Sequence, residues 1–71
     1  MNKGDLVWLP AETTLLQFDK EEIAVKRHKL TERPMNVFLV EKRDEVYWKI
    51  LCEGEQWCVP EHLLFPTGKE E

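Results

Sequence analysis

The sequence predicts a small, mainly β domain, and three features of its 71 residues carry that prediction. Valine, isoleucine and aromatic residues are concentrated in short runs, as the half-buried surface of a sheet prefers. Turn signals separate these runs about every ten residues, which is typical of a small β sandwich or barrel. The chain is also too short for two domains. We therefore expect a single domain over residues 1–66 and a disordered polar tail over residues 67–71.

The predicted strands follow one another in order along the chain. Gly4 to Pro10 is interpreted as a first strand that ends at the proline, because proline has no N–H to donate to a ladder. A 3₁₀ turn fits residues 60–63, just before the end of the domain. Further β-favouring runs predict strands over 36–41, 45–52 and 56–59, and a short closing strand over 64–65.

Residues 11–30, which we call the excursion, are the ambiguous part of the chain. Their apolar residues keep no clean helical stripe, and no residue provides a convincing helix end. Apolar Leu15–Phe18, polar 19–22 and apolar Ile23–Val25 instead favour an irregular hairpin with a polar tip. A short helix over 20–26 is the competing interpretation.

The hairpin over residues 45–59 can be assigned a register. Side chains opposite each other across an antiparallel pair share a face, and a slip of one residue swaps the faces. A two-residue turn at Glu53 and Gly54 resembles the Asp-Gly turns that tolerate positive φ, and it brings the apolar residues onto one face. The predicted inward residues are Val46, Trp48, Ile50, Trp57 and Val59, and the predicted pairs are Trp48 with Val59, Ile50 with Trp57 and Cys52 with Glu55.

The same register separates the two cysteines. Cys52 and Cys58 fall on opposite faces of the hairpin, whereas a disulfide needs Cβ atoms about 3.5–4.5 Å apart. We therefore expect two reduced thiols, one of them buried. A zinc site made from these cysteines with His28 and His62 is the alternative, although the Cys-x5-Cys-x3-His spacing matches no usual structural zinc pattern. No metal or cofactor is expected.

Particular residues resemble the Src-homology-3-like (SH3-like) small β-barrels. The opening Gly4-Asp5-Leu6-Val7-Trp8 is similar to the first strand of Tudor, PWWP and retroviral integrase C-terminal barrels. Residues 57–64 are similar to their closing pattern, in which Trp-x-Val leads into a 3₁₀ turn, and residues 33–39 stand where such barrels place their second strand. The resemblance covers residues 3–66 and implies a five-stranded SH3-like barrel with a long excursion after the first strand.

The ligand sites of that family are not matched by this chain. Binders of proline-rich peptides carry Ala-Leu-Tyr-Asp-Tyr in the excursion, where this sequence has Pro-Ala-Glu-Thr-Thr at 10–14. A methyl-lysine cage needs three or four clustered aromatic residues, and the register assigns Trp48 to the core.

The small one-domain chain also resembles the uncharacterised small barrels of tailed bacteriophages. This resemblance implies a host protein as the partner.

Charge and chemistry favour binding over catalysis. A net charge of −4 gives little attraction to nucleic acid. The glycines are scattered, so no phosphate loop is present, and neither histidine has a nucleophile at a suitable spacing. We therefore expect no enzyme activity. The alternative function is a nucleic-acid-binding accessory protein that uses a basic cluster of four residues, Lys26, Arg27, Lys29 and Arg33.

Protein–protein interaction is the favoured function. In the predicted register, Tyr47, Lys49 and Leu51 point away from the core. In the first strand, either Leu6 and Trp8 or Val7 and Leu9 face the core, and the sequence does not decide between these two pairs. Tyrosine and tryptophan on a rigid sheet are frequent interface anchors. The predicted protein-binding residues are Trp8, Tyr47, Lys49 and Leu51, unless the excursion folds back and covers them.

The setting of the protein can also be predicted. No apolar run approaches the roughly 20 residues that span a bilayer, and the first residues lack the apolar stretch of a signal peptide. We therefore expect a cytoplasmic protein without a membrane segment, present as a monomer or a weak homodimer.

Overall fold

The structure, a computed structural model, describes residues 1–21 and 23–66, so the predicted tail at 67–71 lies outside the described residues. The prediction of a mainly β domain is confirmed. The elements are β1 (Leu6–Leu9), β2 (Thr14–Phe18), β3 (Val25–Leu30), β4 (Met35–Lys42), β5 (Tyr47–Cys52), β6 (Glu55–Pro60), a 3₁₀ turn (Glu61–Leu63) and β7 (Phe65–Pro66).

The seven strands of the described residues belong to one antiparallel sheet, in the order β3-β2-β6-β5-β4-β1-β7. The five predicted strands correspond to β1 and β4 to β7, and the excursion supplies β2 and β3. The sheet is not closed, because its two edges, β3 and β7, do not pair with each other among the described residues. The predicted 3₁₀ turn is confirmed directly after Pro60.

The excursion forms the predicted hairpin and not the competing helix. Gln17 of β2 pairs with Arg27 of β3, and the register shifts between Gln17 and Phe18. Such a bulge bends a strand and increases its local twist. Leu16 pairs with Cys58 and joins β2 to β6. The excursion is therefore part of the sheet and continues it beyond β6.

The β5–β6 hairpin has the predicted register. Its turn residues Glu53 and Gly54 have φ values of 53° and 83°. Positive φ at both central residues matches the twist of the flanking strands in a two-residue hairpin turn. All three predicted pairs are observed, namely Trp48 with Val59, Ile50 with Trp57 and Cys52 with Glu55.

Gly54→Ala is expected to destabilise the domain by about 1–2 kcal/mol, because an L-residue in the left-handed region brings its Cβ against the following carbonyl oxygen. Apart from the adjacent residues, no heavy atom lies within 4 Å of the place that a Cβ would occupy, so the cost is confined to the backbone. Urea denaturation measures the loss. Gly54→Asn is the control and should cost less, since asparagine visits this region more readily. Equal losses would contradict the backbone explanation.

The core lies on one face of the sheet. In β1, Val7 and Leu9 are buried while Leu6 and Trp8 are exposed, which decides the face that the sequence left open. The strands β4 and β5 alternate in the same way, whereas β6 buries three consecutive residues, Trp57–Val59. The core residues are Val7, Leu9, Leu15, Val37, Leu39, Trp48, Ile50, Cys52, Trp57, Val59 and Leu64.

The prediction that Val46 faces the core is wrong. Val46 is 54% exposed, and β5 begins only at Tyr47. The carboxylate of Asp44 accepts hydrogen bonds from the backbone N–H groups of Tyr47 and Val46, both at 2.8 Å. These bonds hold Val46 in the turn, and they also lower the pKa of Asp44 below its ordinary value.

Both cysteines are buried, so the expectation that only one is buried is wrong. Cys52 belongs to the core face, whereas Cys58 lies opposite Leu16 and Lys49 on the other face. Cys58 is covered because the excursion pairs with β6 at Leu16. Both cysteines are reduced thiols, and burial raises the pKa of the Cys52 thiol.

Candidate functional site

Five large apolar side chains lie exposed on the outward face of the sheet. They come from four strands, β1, β4, β5 and β7. We call these five residues the apolar patch. Their exposed fractions are 41% for Leu6, 39% for Trp8, 52% for Phe38, 43% for Leu51 and 45% for Phe65.

Strand register makes these five side chains neighbours. Leu6 pairs with Phe38 across β1 and β4, and Phe38 pairs with Leu51 across β4 and β5. Trp8 pairs with Phe65 across β1 and β7, and their ring centroids are 5.7 Å apart. Directly opposite residues of an antiparallel pair have Cβ atoms roughly 4.5–5.5 Å apart. The patch is therefore one continuous surface.

The alternation of side chains along the strands creates the patch. β1 buries Val7 and Leu9, and β4 buries Val37 and Leu39, so the residues next to them point outward. The outward face of an antiparallel sheet is usually polar where it meets water. Apolar residues at these outward positions add nothing to the buried core cluster, which indicates that they serve another contact.

The structure places the four predicted protein-binding residues in two groups. Trp8 and Leu51 lie in the apolar patch. Tyr47 is half-buried, because the ring of Phe18 packs edge-on against it with centroids 6.1 Å apart. Lys49 has only 22% of its side chain exposed. The excursion therefore folds back over Tyr47 and leaves the patch uncovered.

Sequence reasoning missed Leu6, Phe38 and Phe65. The outward orientation of Phe38 could have been found from strand alternation, because Phe38 points outward if its neighbours Val37 and Leu39 face the core. The uniformly apolar run at 37–40 hides that alternation, because every residue in it suits the core. Phe65 joins the patch only through the pairing of β7 with β1, which is remote in sequence.

Two cations of the predicted basic cluster lie over the ring of Trp57. The guanidinium carbon of Arg27 lies 5.2 Å from the ring centroid of Trp57, and the Lys29 Nζ lies 6.0 Å from it. Such positions over an aromatic face are attractive. Arg27 Nη1 also lies 3.0 Å from Glu55 Oε1, and Lys29 Nζ forms an ion pair with Glu53. These two cations therefore cover Trp57 and are held by carboxylates, while 53% of the Arg27 side chain and 41% of the Lys29 side chain stay exposed.

Hydrogen bonds keep the acidic partners of these cations ionised. The bond from Lys29 holds the pKa of Glu53 below its ordinary value. Gln17 Nε2 donates to Glu55 Oε1 at 3.0 Å, and this bond, together with the charge of Arg27, lowers the pKa of Glu55. Negative charge therefore stays beside the positive charge at ordinary pH.

The four predicted nucleic-acid-binding cations consequently differ in their availability. Lys26, Arg27 and Arg33 are all exposed, but Arg27 is paired with a carboxylate, as is the half-buried Lys29. Lys26 lies on β3, and Arg33 lies in the loop between β3 and β4. Affinity for nucleic acid grows with the number of cations that contact phosphates. Among residues 1–21 and 23–66, two of the four predicted cations, Lys26 and Arg33, form no ion pair with a carboxylate.

A groove of about 400 Å³ lies on the sheet, lined by residues of β2, β3, β5 and β6 together with Asp19 and Arg43. Its wall combines apolar, cationic and acidic side chains, and the guanidinium of Arg43 lies 4.0 Å from the ring centroid of Phe18. Because acidic and basic side chains both line the groove, the lining favours neither an anionic nor a cationic ligand. The charged residues that line the groove are Asp19, Lys26, Arg43, Lys49 and Glu55.

The alternative zinc ligands are not brought together. They lie on four different elements, with Cys52 on β5, Cys58 on β6, His28 on β3 and His62 in the 3₁₀ turn. Within residues 1–21 and 23–66, no group of three or more histidine, cysteine, aspartate or glutamate side chains is arranged to hold a metal ion. The same residues contain no helix long and apolar enough to cross a membrane.

Comparison with known proteins gives no match. No protein-family model, no curated protein and no solved structure matches this chain.

Proposed function

We propose that this protein is a non-enzymatic binding module that recognises another protein through the apolar patch. The observation that carries the proposal is the continuous row of large apolar side chains across β7, β1, β4 and β5, each between 39% and 52% exposed. Contiguous exposed apolar surface of more than a few hundred Å² is uncommon on monomeric proteins and marks interaction sites.

The size of the patch fits the centre of a protein interface. Two leucines, two phenylalanines and a tryptophan at these exposures present about 400 Å² of apolar surface, given the usual size of such side chains. One partner of a standard interface contributes about 800 Å², with an apolar centre and a polar rim. Asn36 and Gln56 pair with the patch residues Trp8 and Leu51 and are suited to such a rim.

The order of elements supports the further proposal that the domain is a variant of the SH3-like barrel. A long excursion follows the first strand, and a 3₁₀ turn precedes the last, as the resemblance implies. We also propose that the protein comes from a bacteriophage, that its partner is a host protein and that it is cytoplasmic. These parts of the proposal are supported by the sequence alone.

The alternative function is nucleic-acid binding through the exposed Lys26 and Arg33. The net charge of −4 and the pairing of Arg27 and Lys29 with carboxylates disfavour it. Its signature is binding that falls steeply as salt is added, because cations released from the nucleic acid drive the association.

A tagged pulldown from the native cytosol, with and without nuclease, distinguishes the two functions. We expect the wild-type protein to recover one stoichiometric protein whether or not nuclease is added. Phe38→Ser should lose that protein. Ile23→Ser is the matched control, since Ile23 is 79% exposed on the hairpin tip and lies outside the patch. Recovery that disappears with nuclease, or that survives Phe38→Ser unchanged, would contradict the proposal.

A further inference from the structure

We propose that the free edge of β3 binds an extended acidic segment of a partner protein as an additional strand of the sheet. This edge and the apolar patch lie on different elements, because the patch residues come from β1, β4, β5 and β7. The inference therefore concerns a second interaction surface and does not depend on the patch.

The backbone of β3 is long enough to pair with an added strand. β3 spans six residues, Val25–Leu30, and β2 is its one strand neighbour in the part of the chain that the structure describes. The other edge strand, β7, has only two residues, and one of them is Pro66, which has no N–H. An edge strand with a row of unpaired N–H and C=O groups is a template for another strand.

The pairing of the excursion shows which backbone groups face outward. The N–H of Thr31 donates to the C=O of Thr13 at 3.0 Å, so Thr31 directs its backbone groups toward the side of β2. Successive residues of an antiparallel strand alternate between bonding to the neighbour and pointing away from it. His28 and Leu30 therefore direct both their N–H and their C=O groups to the free edge.

The side chains of this edge attract an added strand that carries acidic residues. The chain as a whole is acidic, yet four consecutive residues of β3, Lys26–Lys29, are basic or histidine. Lys26 and His28 lie exposed on one face of β3, whereas Arg27 and Lys29 lie on the other face, over the ring of Trp57. Cross-strand neighbours of opposite charge attract. An added strand whose acidic side chains lie on the face of Lys26 therefore meets an exposed cation there, whereas the cations of the other face are already paired with Glu53 and Glu55.

The same charges disfavour pairing between two copies of this protein. Two β3 edges that paired with each other would bring lysine and arginine next to lysine and arginine, and like charges opposite each other destabilise a sheet. Lysine on an edge strand is a common protection against self-association. Exposed Val25 and Leu30 at the two ends of β3 favour apolar residues between the acidic ones. The partner segment is therefore an alternation of acidic and β-branched residues.

Fluorescence anisotropy with a labelled peptide of alternating glutamate and valine tests the proposal on the full chain. We expect binding that weakens about tenfold or more when the glutamates are replaced by lysines, and also when alternate peptide amides are N-methylated at unchanged charge. Lys26→Glu should weaken binding by a similar factor. Lys3→Glu is the matched control, with the same charge change on an exposed residue outside β3, and should change affinity about twofold or less.

Amide hydrogen exchange adds a readout of the backbone pairing. The N–H groups of His28 and Leu30 should exchange more slowly when the glutamate–valine peptide is bound, because they become donors to it. Equal losses in Lys3→Glu and Lys26→Glu would show diffuse charge attraction and overturn the proposal. Insensitivity to N-methylation would also overturn it, as would binding of an oligonucleotide through Lys26 with no binding of the peptide.

Discussion

Trp57→Ala is expected to lower the free energy of unfolding by about 3–5 kcal/mol, whereas Trp8→Ala should cost about 1 kcal/mol or less. Trp57 is 3% exposed and pairs with the fully buried Ile50. Truncating it leaves a cavity and removes the surface on which Arg27 lies. Trp8 is 39% exposed, and its ring contact is with the exposed Phe65.

The predicted loss at Trp57 is large for a domain of this size. At the usual stability per residue, 71 residues give about 4–11 kcal/mol in total, so Trp57→Ala leaves the domain marginally folded or unfolded. Urea denaturation followed by circular dichroism measures both variants on the same scale. Similar losses for Trp8 and Trp57 would contradict the assignment of Trp8 to a surface that the fold does not need.

Trp8→Ala is also expected to weaken the complex with the protein partner about 30-fold or more, which corresponds to about 2 kcal/mol. Tryptophan is among the residues that most often dominate interface energetics, and here its ring packs at a tilt against Phe65 within the patch. Because the expected cost in stability is small, the variant stays folded and the lost affinity reports on the interface itself.

Titration calorimetry with the captured partner measures this loss. Ile23→Ala is the control, since it removes a similar amount of exposed apolar surface from the hairpin tip, and its affinity should stay within about twofold of wild type. A large loss for Ile23→Ala with none for Trp8→Ala would move the interface to the excursion.

The β5–β6 hairpin could be predicted in detail because the information that fixes it is local. A two-residue turn sets the register, and the alternation of Trp48, Ile50 and Cys52 sets the face. Pairings between distant segments, such as Trp8 with Phe65, have no comparable local signal. These distant pairings assemble the patch.

Val46 shows how a local polar contact can override strand propensity. Valine after an acidic pair suits a strand, and the sequence pattern alone extends β5 to include it. The side chain of Asp44 instead accepts two backbone N–H groups and prolongs the turn. Aspartate side chains compete in this way with the hydrogen bonds of regular structure.

The candidate site could be predicted only in part. Leu51 follows the buried Ile50 and precedes the buried Cys52, so its outward orientation is readable from alternation. Tyr47 shares that outward orientation, but Phe18 covers it. The cover depends on the path of the excursion, where the bulge between Gln17 and Phe18 changes the register, and no local pattern of the sequence specifies that path.

Photo-crosslinking tests the protein-binding role of the patch most directly. Phe38 and, in a separate sample, Ile23 are replaced by p-benzoylphenylalanine, and the two samples are irradiated in the native cytosol. We expect one protein crosslinked from position 38 and none from position 23, because Phe38 lies between Leu6 and Leu51 in the patch. Crosslinking to a partner from position 23 but not from position 38, or crosslinking to nucleic acid alone, would contradict it.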